Sequence, residues 1–474
     1  FGSFTDFKDF ANEVRMDLRF EPGSKVKLDD IMTFAPALEN NAFFVANRAR
    51  ILNIDGRVSG RVNNLKGRDI NIRLDDGTVF RGDFSTRNLN DRNNEFVNLD
   101  LEELTTSVQN LRKLIPNFVP PPNFTKLGNL SFKGKFLGFF ADFVAEGRLR
   151  TDLGSATTDM RLDLKDGRNA ARYSGTLALN NFDLARWADN PDFGKVTFNT
   201  EVRDGFGLTA RDASANLSAN ITRFPFKGYT YENATFNGQL NQNLFDGDFA
   251  IRDENIDFNF TGRIDVTDSI PKLNFQAAVE RLALQPLNLA QQDYVLGGDV
   301  NIQIANLDLS ATEGLIAVGN FTILHDQTER YVIDTVKITS TFDENNNRDF
   351  QISSDILESS IVGEFDIEKL PETFIQFFSS NYPEFADRFN LRSRSDSLYA
   401  SHFTYDLLLK DSKGLNYLID PKLDTLRNVR LRGKFDGRTD EFYVKLVADS
   451  FRYGNLYLND IAFSTDALAD DAYM

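Results

Sequence analysis

Cysteine is absent from this 474-residue chain, histidine occurs twice and tryptophan once. With no thiol there is no thiolate nucleophile, no disulfide framework and no cysteine-held zinc. The two histidines, His325 and His402, stand far apart in unrelated contexts. Each therefore reads as an ordinary polar side chain rather than a general base or metal ligand. No glycine-rich nucleotide loop and no serine elbow is present. Also missing is any apolar run of roughly 18 residues, the length a membrane-spanning helix needs. Positive charge is scattered and outnumbered, with 53 Lys and Arg against 70 Asp and Glu, a net charge of −17. A chain without a basic stripe is not expected to track nucleic-acid phosphates, and anionic headgroups would not attract it. No catalytic constellation, cofactor site or metal site emerges, and the chain is expected not to be an enzyme.

The acidic clusters read as turn chemistry. Asp75-Asp76 precedes Gly77, Asp166 precedes Gly167 and Asp246 precedes Gly247, positions where short carboxylates serve the backbone of a tight turn. The segment Asp343 to Asp349 superficially resembles a calcium loop, with oxygen donors at alternate positions. Arg348 takes the place wanted by glycine and Ser354 that of the final glutamate, so a polar hairpin loop is expected instead.

What the chain has in excess is phenylalanine. Its 44 copies are roughly twice ordinary usage, and Phe favours strands while adding apolar area that needs no hydrogen-bond partner. Strict alternation of apolar and polar residues runs through Asp69 to Leu74, Asp159 to Leu164, Asn255 to Phe260, Asp299 to Ile304 and Glu441 to Leu446. This is the mark of antiparallel strands with one wet face. One apolar side is assigned Ile70, Ile72, Leu74, Met160, Leu162, Leu164, Phe249, Ile251, Ile256, Phe258, Phe260, Val300, Ile302, Ile304, Phe442, Val444 and Leu446. A tripeptide of glycine, polar and apolar residue recurs, as at Gly134, Gly147, Gly175, Gly262, Gly298 and Gly363. It reads as the opening of a strand in a degenerate repeat. At one strand per 10–13 residues the spacing predicts about 35 to 45 strands, stacked at roughly 4.8 Å into a rod or curved trough over about 100 Å long.

Helices are expected as inserts at about residues 4–13, 29–38 and 102–115. Asp100 and Glu103 would form the capping box of the last of these, and Pro120-Pro121-Pro122 would end it. A longer amphipathic insert is expected over 369–393, where Phe374, Phe377, Phe378, Tyr382, Phe385 and Phe389 share one face; packing against the sheet is one reading, and plugging a groove is the sharper one. The chain thus divides into a first β-segment with helical inserts (1–120), a continuous repetitive β-segment (121–368), the helical insert (369–393) and further strands (394–474). It opens Phe1-Gly2-Ser3 and closes in mid-pattern at Ala472-Tyr473-Met474, and reads as a piece of something longer.

Three stretches carry a resemblance. They are Val14 to Leu28 (VRMDLRFEPGSKVKL) with Leu52 to Gly60, then Phe132 to Phe136 leading into Asp142 to Thr151, and Leu177 to Leu184, which ends in an apolar-Asp-Leu corner. Together they resemble the AsmA/TamB-like family, most closely its Bacteroidota members. The resemblance implies an all-β fold, an elongated repetitive antiparallel sheet curled into a hydrophobic groove with a few short amphipathic helices. It implies a periplasmic, bridge-like phospholipid conduit between inner and outer membranes of a Gram-negative cell, serving outer-membrane biogenesis and integrity. A bound phospholipid or other acyl lipid would occupy the groove. Partners would be an inner-membrane anchor outside this segment and an Omp85-type outer-membrane barrel. Two other readings stay open at this point: a structural or adhesive β-solenoid, whose dry core has the same alternation, and an assembly factor for outer-membrane proteins.

Overall fold

An extended chain with apolar side chains on one side and polar ones on the other buries most by pairing edge to edge. Runs joined by tight polar turns meet their chain neighbours first. The structure, a computed structural model, follows that rule. It describes residues 3–89, 95–116, 120, 122–139, 141–208, 212–308, 310–326, 329–388, 401–411 and 422–467, which hold 24 strands and several short helices in an all-β arrangement.

The chain forms two compact units, Phe1–Gln242 and Asn243–Met474, so the boundary falls inside the continuous segment expected over 121–368. The first unit holds β1 (Met16–Lys27), β2 (Ile51–Arg61), β3 (Asn64–Arg73), β4 (Val79–Arg87), β5 (Phe96–Ser107), β6 (Asn129–Phe139), β7 (Asp142–Thr151), β8 (Gly154–Asp163), β9 (Arg172–Asp183), β10 (Lys195–Phe206), β11 (Ser214–Phe226) and β12 (Tyr229–Asn241). Each pairs antiparallel with the next, from β1–β2 through β11–β12. The second unit holds β13 (Leu244–Arg252), β14 (Ile256–Asp265), β15 (Lys272–Ala283), β16 (Tyr294–Asn306), β17 (Glu313–His325), β18 (Glu329–Phe342), β19 (Arg348–Ser354), β20 (Leu357–Glu364), β21 (His402–Asp411), β22 (Leu423–Asp436), β23 (Glu441–Tyr453) and β24 (Leu456–Ala467). These too pair antiparallel in chain order. Among the described residues no pairing joins the first strand of a unit to its last, so each sheet is open. A solenoid would stack its coils at long sequence separation; consecutive antiparallel strands make a meander instead.

Twenty-four strands is fewer than the 35 to 45 expected, and glycine explains the difference. Strands run to as many as 14 residues, because the repeated glycine lies inside a strand instead of opening it. Gly134 is the sixth residue of β6 and faces Gly147 of β7. Its φ is +154°, and a Cβ built there would lie 2.1 Å from the Glu146 carbonyl oxygen. Only a residue without Cβ tolerates that approach. Two alternating runs on either side of such a glycine are one strand.

The helices are α1 (Phe10–Glu13), α2 (Leu28–Phe34), α3 (Ala42–Asn47), α4 (Val108–Leu114), α5 (Leu184–Ala188), α6 (Leu370–Asn381) and α7 (Pro383–Arg388). The insert expected over 102–115 starts later than the capping-box reading placed it. Residues up to Ser107 belong to β5, where Asp100 and Glu103 face Lys135 and Arg81 across the strands. The cap is Ser107, whose Oγ accepts from the Asn110 N–H at 3.1 Å. The apolar-Asp-Leu corner turns β9 into α5, Asp183 accepting the Arg186 N–H at 3.0 Å. The insert over 369–393 is α6 and α7, split at Pro383; its last residues, from Phe389, lie outside the described ones.

Candidate functional site

Directly opposed residues in an antiparallel pair project to the same side of the sheet, so register decides whether the apolar residues make one face. In the first unit they form a row across eleven strands, β2 to β12. It runs Ile54, Ile72, Phe80, Leu104, Phe132, Leu149, Ala156, Leu179, Phe198, Ile221, Ala234, each opposite the next. No polar side chain interrupts it. In the second unit Phe249, Phe260, Ala277, Val300, Val318 and Val336 form one such row. Phe275, Ile302, Ile316, Ile338 and Ile352 form another, and Leu407, Leu431, Leu446 and Phe463 a third.

The residues assigned to an apolar side from the sequence fall on or beside these rows. Ile72, Phe249, Phe260, Val300, Ile302 and Leu446 are members. Ile251 faces Phe258, Ile256 faces Leu282 and Ile304 faces Leu273. Met160 faces Ala145, Leu162 faces Phe143, Phe442 faces Phe435, and Val444 faces Gly433. Ile70, opposite Gly82, is wholly buried. Leu74 and Leu164 lie just past their strands, in the turns. None of the seventeen is exposed.

The opposite side of the sheet is wet and carries the ion pairs. Arg57 bridges to Asp17 at 2.6 Å and Arg430 to Asp406 at 2.5 Å, and Thr261 donates to Asp248 at 2.7 Å. Lys165 and Arg161 both reach Asp142, holding its carboxyl below the usual range, chiefly through the Lys165 hydrogen bond. The acidic turns at Asp75-Asp76-Gly77 and Asp166-Gly167 are turns, but Asp246-Gly247 lies inside β13, facing Arg263 and Gly262 of β14. Asp76 accepts the Thr78 N–H at 2.9 Å and pairs with Arg50 at 2.8 Å. Asp343 accepts the Asn345 and Asn347 N–H groups at 2.8 Å each, closing the β18–β19 hairpin. His325 ends β17 against Tyr294, while His402 opens β21 beside Glu364.

Burial along the apolar face is uneven: Ile70, Ile256, Phe260 and Ile304 are buried within the sheet itself, and clusters of buried side chains gather under helices. Clusters of fully buried side chains form under the α2–α3 region, under α4 and α5 with Trp187, and under α6. Beneath α6, Phe403 and Phe435 are 4% and 2% exposed, and Phe377 of the helix is 3% exposed. Away from the helices, Phe258, Val300, Ile302, Ile316, Val318 and Ile338 are only half-buried.

Sequence reasoning missed one residue of this face. Arg348, read as the misfit of a calcium loop, is the first residue of β19 and is 0% exposed. Two residues before Phe350, it shares the apolar side. Its guanidinium donates to Ser340 Oγ and to the Thr312 carbonyl, both at 3.1 Å, and lies 5.0 Å from the Phe342 ring. Burial pulls its pKa down, while Asp366 and Asp308 oppose the shift. A lone Arg beside a polar loop gives no sequence signal for this.

Comparison with family models, with curated proteins and with solved structures finds no match to this chain.

Proposed function

We propose that the chain is a periplasmic lipid conduit of the AsmA/TamB-like kind, whose apolar face forms a groove for phospholipid acyl chains passing between the inner and outer membranes. One observation carries the reading: apolar rows run unbroken from strand to strand, yet row members such as Val300, Ile302, Ile316, Val318 and Ile338 are only half-buried. A packed core would bury them. Apolar surface left half-covered gains by taking up hydrocarbon, at about 0.8 kcal/mol for each buried CH₂. Headgroups stay in water, outside the groove. Successive strands present equivalent apolar sites, so an acyl chain moves along the face with little change in energy, as transport requires. An inner-membrane anchor and an Omp85-type barrel would be the partners at the two ends.

Lipid extracted from the purified protein and identified by mass spectrometry is the first test, and diacyl phospholipid is the expected result. A second is Phe258→Asp or Ile302→Asp. An ionised group in an apolar passage is costly to pass without a partner, so the variants should fold normally by circular dichroism while cells lose outer-membrane integrity. Normal folding with full integrity at both positions would end the reading.

A further inference from the structure

The helix α6 stands where a ligand of the apolar face would stand. Phe374 lies 5.5 Å from Phe435 and 6.0 Å from Phe442, and Phe377 lies 5.5 Å and 5.3 Å from the same two rings. Phe403, Phe435 and Phe442 form one cross-strand row on β21, β22 and β23, on the side of the sheet that carries Tyr405 and Ile361. The helix therefore fills the second unit's apolar face over these strands, while Val300, Ile302, Ile316 and Val318 of the same face on β16 and β17 are only half-buried.

The connection is built so that the helix can leave without disturbing the sheet. Strand β20 pairs with β21 over its whole length, from Leu357 opposite Leu409 to Glu364 opposite His402. From Glu364 the chain leaves this strand pair for α6 and α7. Lifting α6 breaks no ladder hydrogen bond, because a helix satisfies its own backbone. Its buried side is not wholly apolar either, since Thr373 and Gln376 are buried beside Phe377. Exchange of this helix for hydrocarbon replaces the ring contacts of Phe374 and Phe377 by apolar contacts and returns Thr373 and Gln376 to water.

We propose that α6 is a displaceable plug, covering a second acyl-chain site on Phe403, Phe435 and Phe442 that opens when lipid arrives from the half-buried face of β16 and β17. The inference rests on the lipid-conduit reading and goes beyond it by placing a gate at β21–β23. Such a gate sets where lipid stops until the helix is lifted, and makes passage depend on how firmly the helix's phenylalanines hold it.

The test uses the full chain with the photoreactive residue p-benzoylphenylalanine at Ile302, in the half-buried stretch, or at Phe442, under the helix. Each is illuminated with vesicles of phosphatidylethanolamine and phosphatidylglycerol bearing radiolabelled acyl chains. The expected result is lipid adduct at position 302 and little at 442. Adding Phe374→Ala with Phe377→Ala, which leaves Phe378 as the helix's remaining ring on Phe442, should raise the adduct at 442 by roughly tenfold or more. Adduct at 302 with none at 442 in either background overturns the plug and leaves the conduit standing. Equal adduct at both positions in the parent chain also overturns it, since the helix then excludes nothing. Adduct at neither position sinks the conduit reading and the plug with it. A measurement without the double substitution guards against a misfolded variant: hydrogen exchange of the α6 amides should quicken on adding the vesicles while β14–β17 slow. Unchanged or slower exchange in α6 would show a fixed structural cover.

Discussion

At the scale of single residues, two kinds of glycine divide the chain. Gly134 combines a left-handed φ of +154° with partner backbone 2.1 Å from a would-be Cβ. Gly319, in the same tripeptide pattern, has open space around its Cβ position and an ordinary φ. Gly134→Ala should therefore cost about 2 kcal/mol or more, and Gly319→Ala should change stability by no more than about 0.5 kcal/mol, as read from urea midpoints. Tyr405 offers a pH test. Burial pushes its phenol from 10.0 up to about 12, and it donates to the Tyr443 carbonyl at 3.1 Å. A raised pKa means the folded state holds its proton longer than the unfolded chain does. The stabilisation is complete below pH 10 and is lost as pH rises towards 12. Tyr405→Phe should lower stability by about 1 kcal/mol at neutral pH, and the gap to the parent should close across that alkaline window.

At the scale of elements, the short helices matter more than their length suggests. They are what converts half-buried sheet surface into buried clusters, so their caps are leverage points. Asp183 ends β9 and starts α5 in one residue, its carboxylate taking the Arg186 N–H. Asp183→Ala should cost about 1 kcal/mol and Asp183→Asn much less, with increased exposure of Trp187 visible in its fluorescence, since that ring packs against Phe182 and Phe124. The chain's single tryptophan makes the signal unambiguous. Strand pairing makes a different demand. Because each strand pairs with its sequence neighbours, register is set hairpin by hairpin, and a one-residue slip would turn an apolar row to the wet side.

For the molecule as a whole, nearest-neighbour pairing implies local failure. In an array whose elements touch only their neighbours, a lesion spreads as far as the coupling between adjacent strands allows. If Phe258→Asp perturbs the fold at all, faster hydrogen exchange should be confined to β13–β16, with the protection of β2–β12 unchanged. Loss of protection throughout the chain would mean that the strands unfold as one cooperative block. This locality also suits a conduit, where a blocked position stops passage without unfolding the rest.

The sequence by itself determined the strand class, the antiparallel order and most of the membership of the apolar face. All three follow from period-two alternation and short polar turns, which are local and need no knowledge of distant residues. Ile302 alternates with Asn301 and Gln303 whether or not its partner Ile316 is known. Tertiary structure decided what local pattern leaves open. Whether Gly134 opens a strand or lies within one depends on the backbone across from it, and that depends on register. Whether an apolar side chain is buried or merely turned inward depends on what lies above it: Phe258 and Phe435 sit in similar patterns, yet only Phe435 has a helix over its ring. Arg348 looked like a loop residue because its burial comes from Ser340, Thr312 and Phe342, partners that only the folding of β18 against β19 and of the β16–β17 turn brings to it.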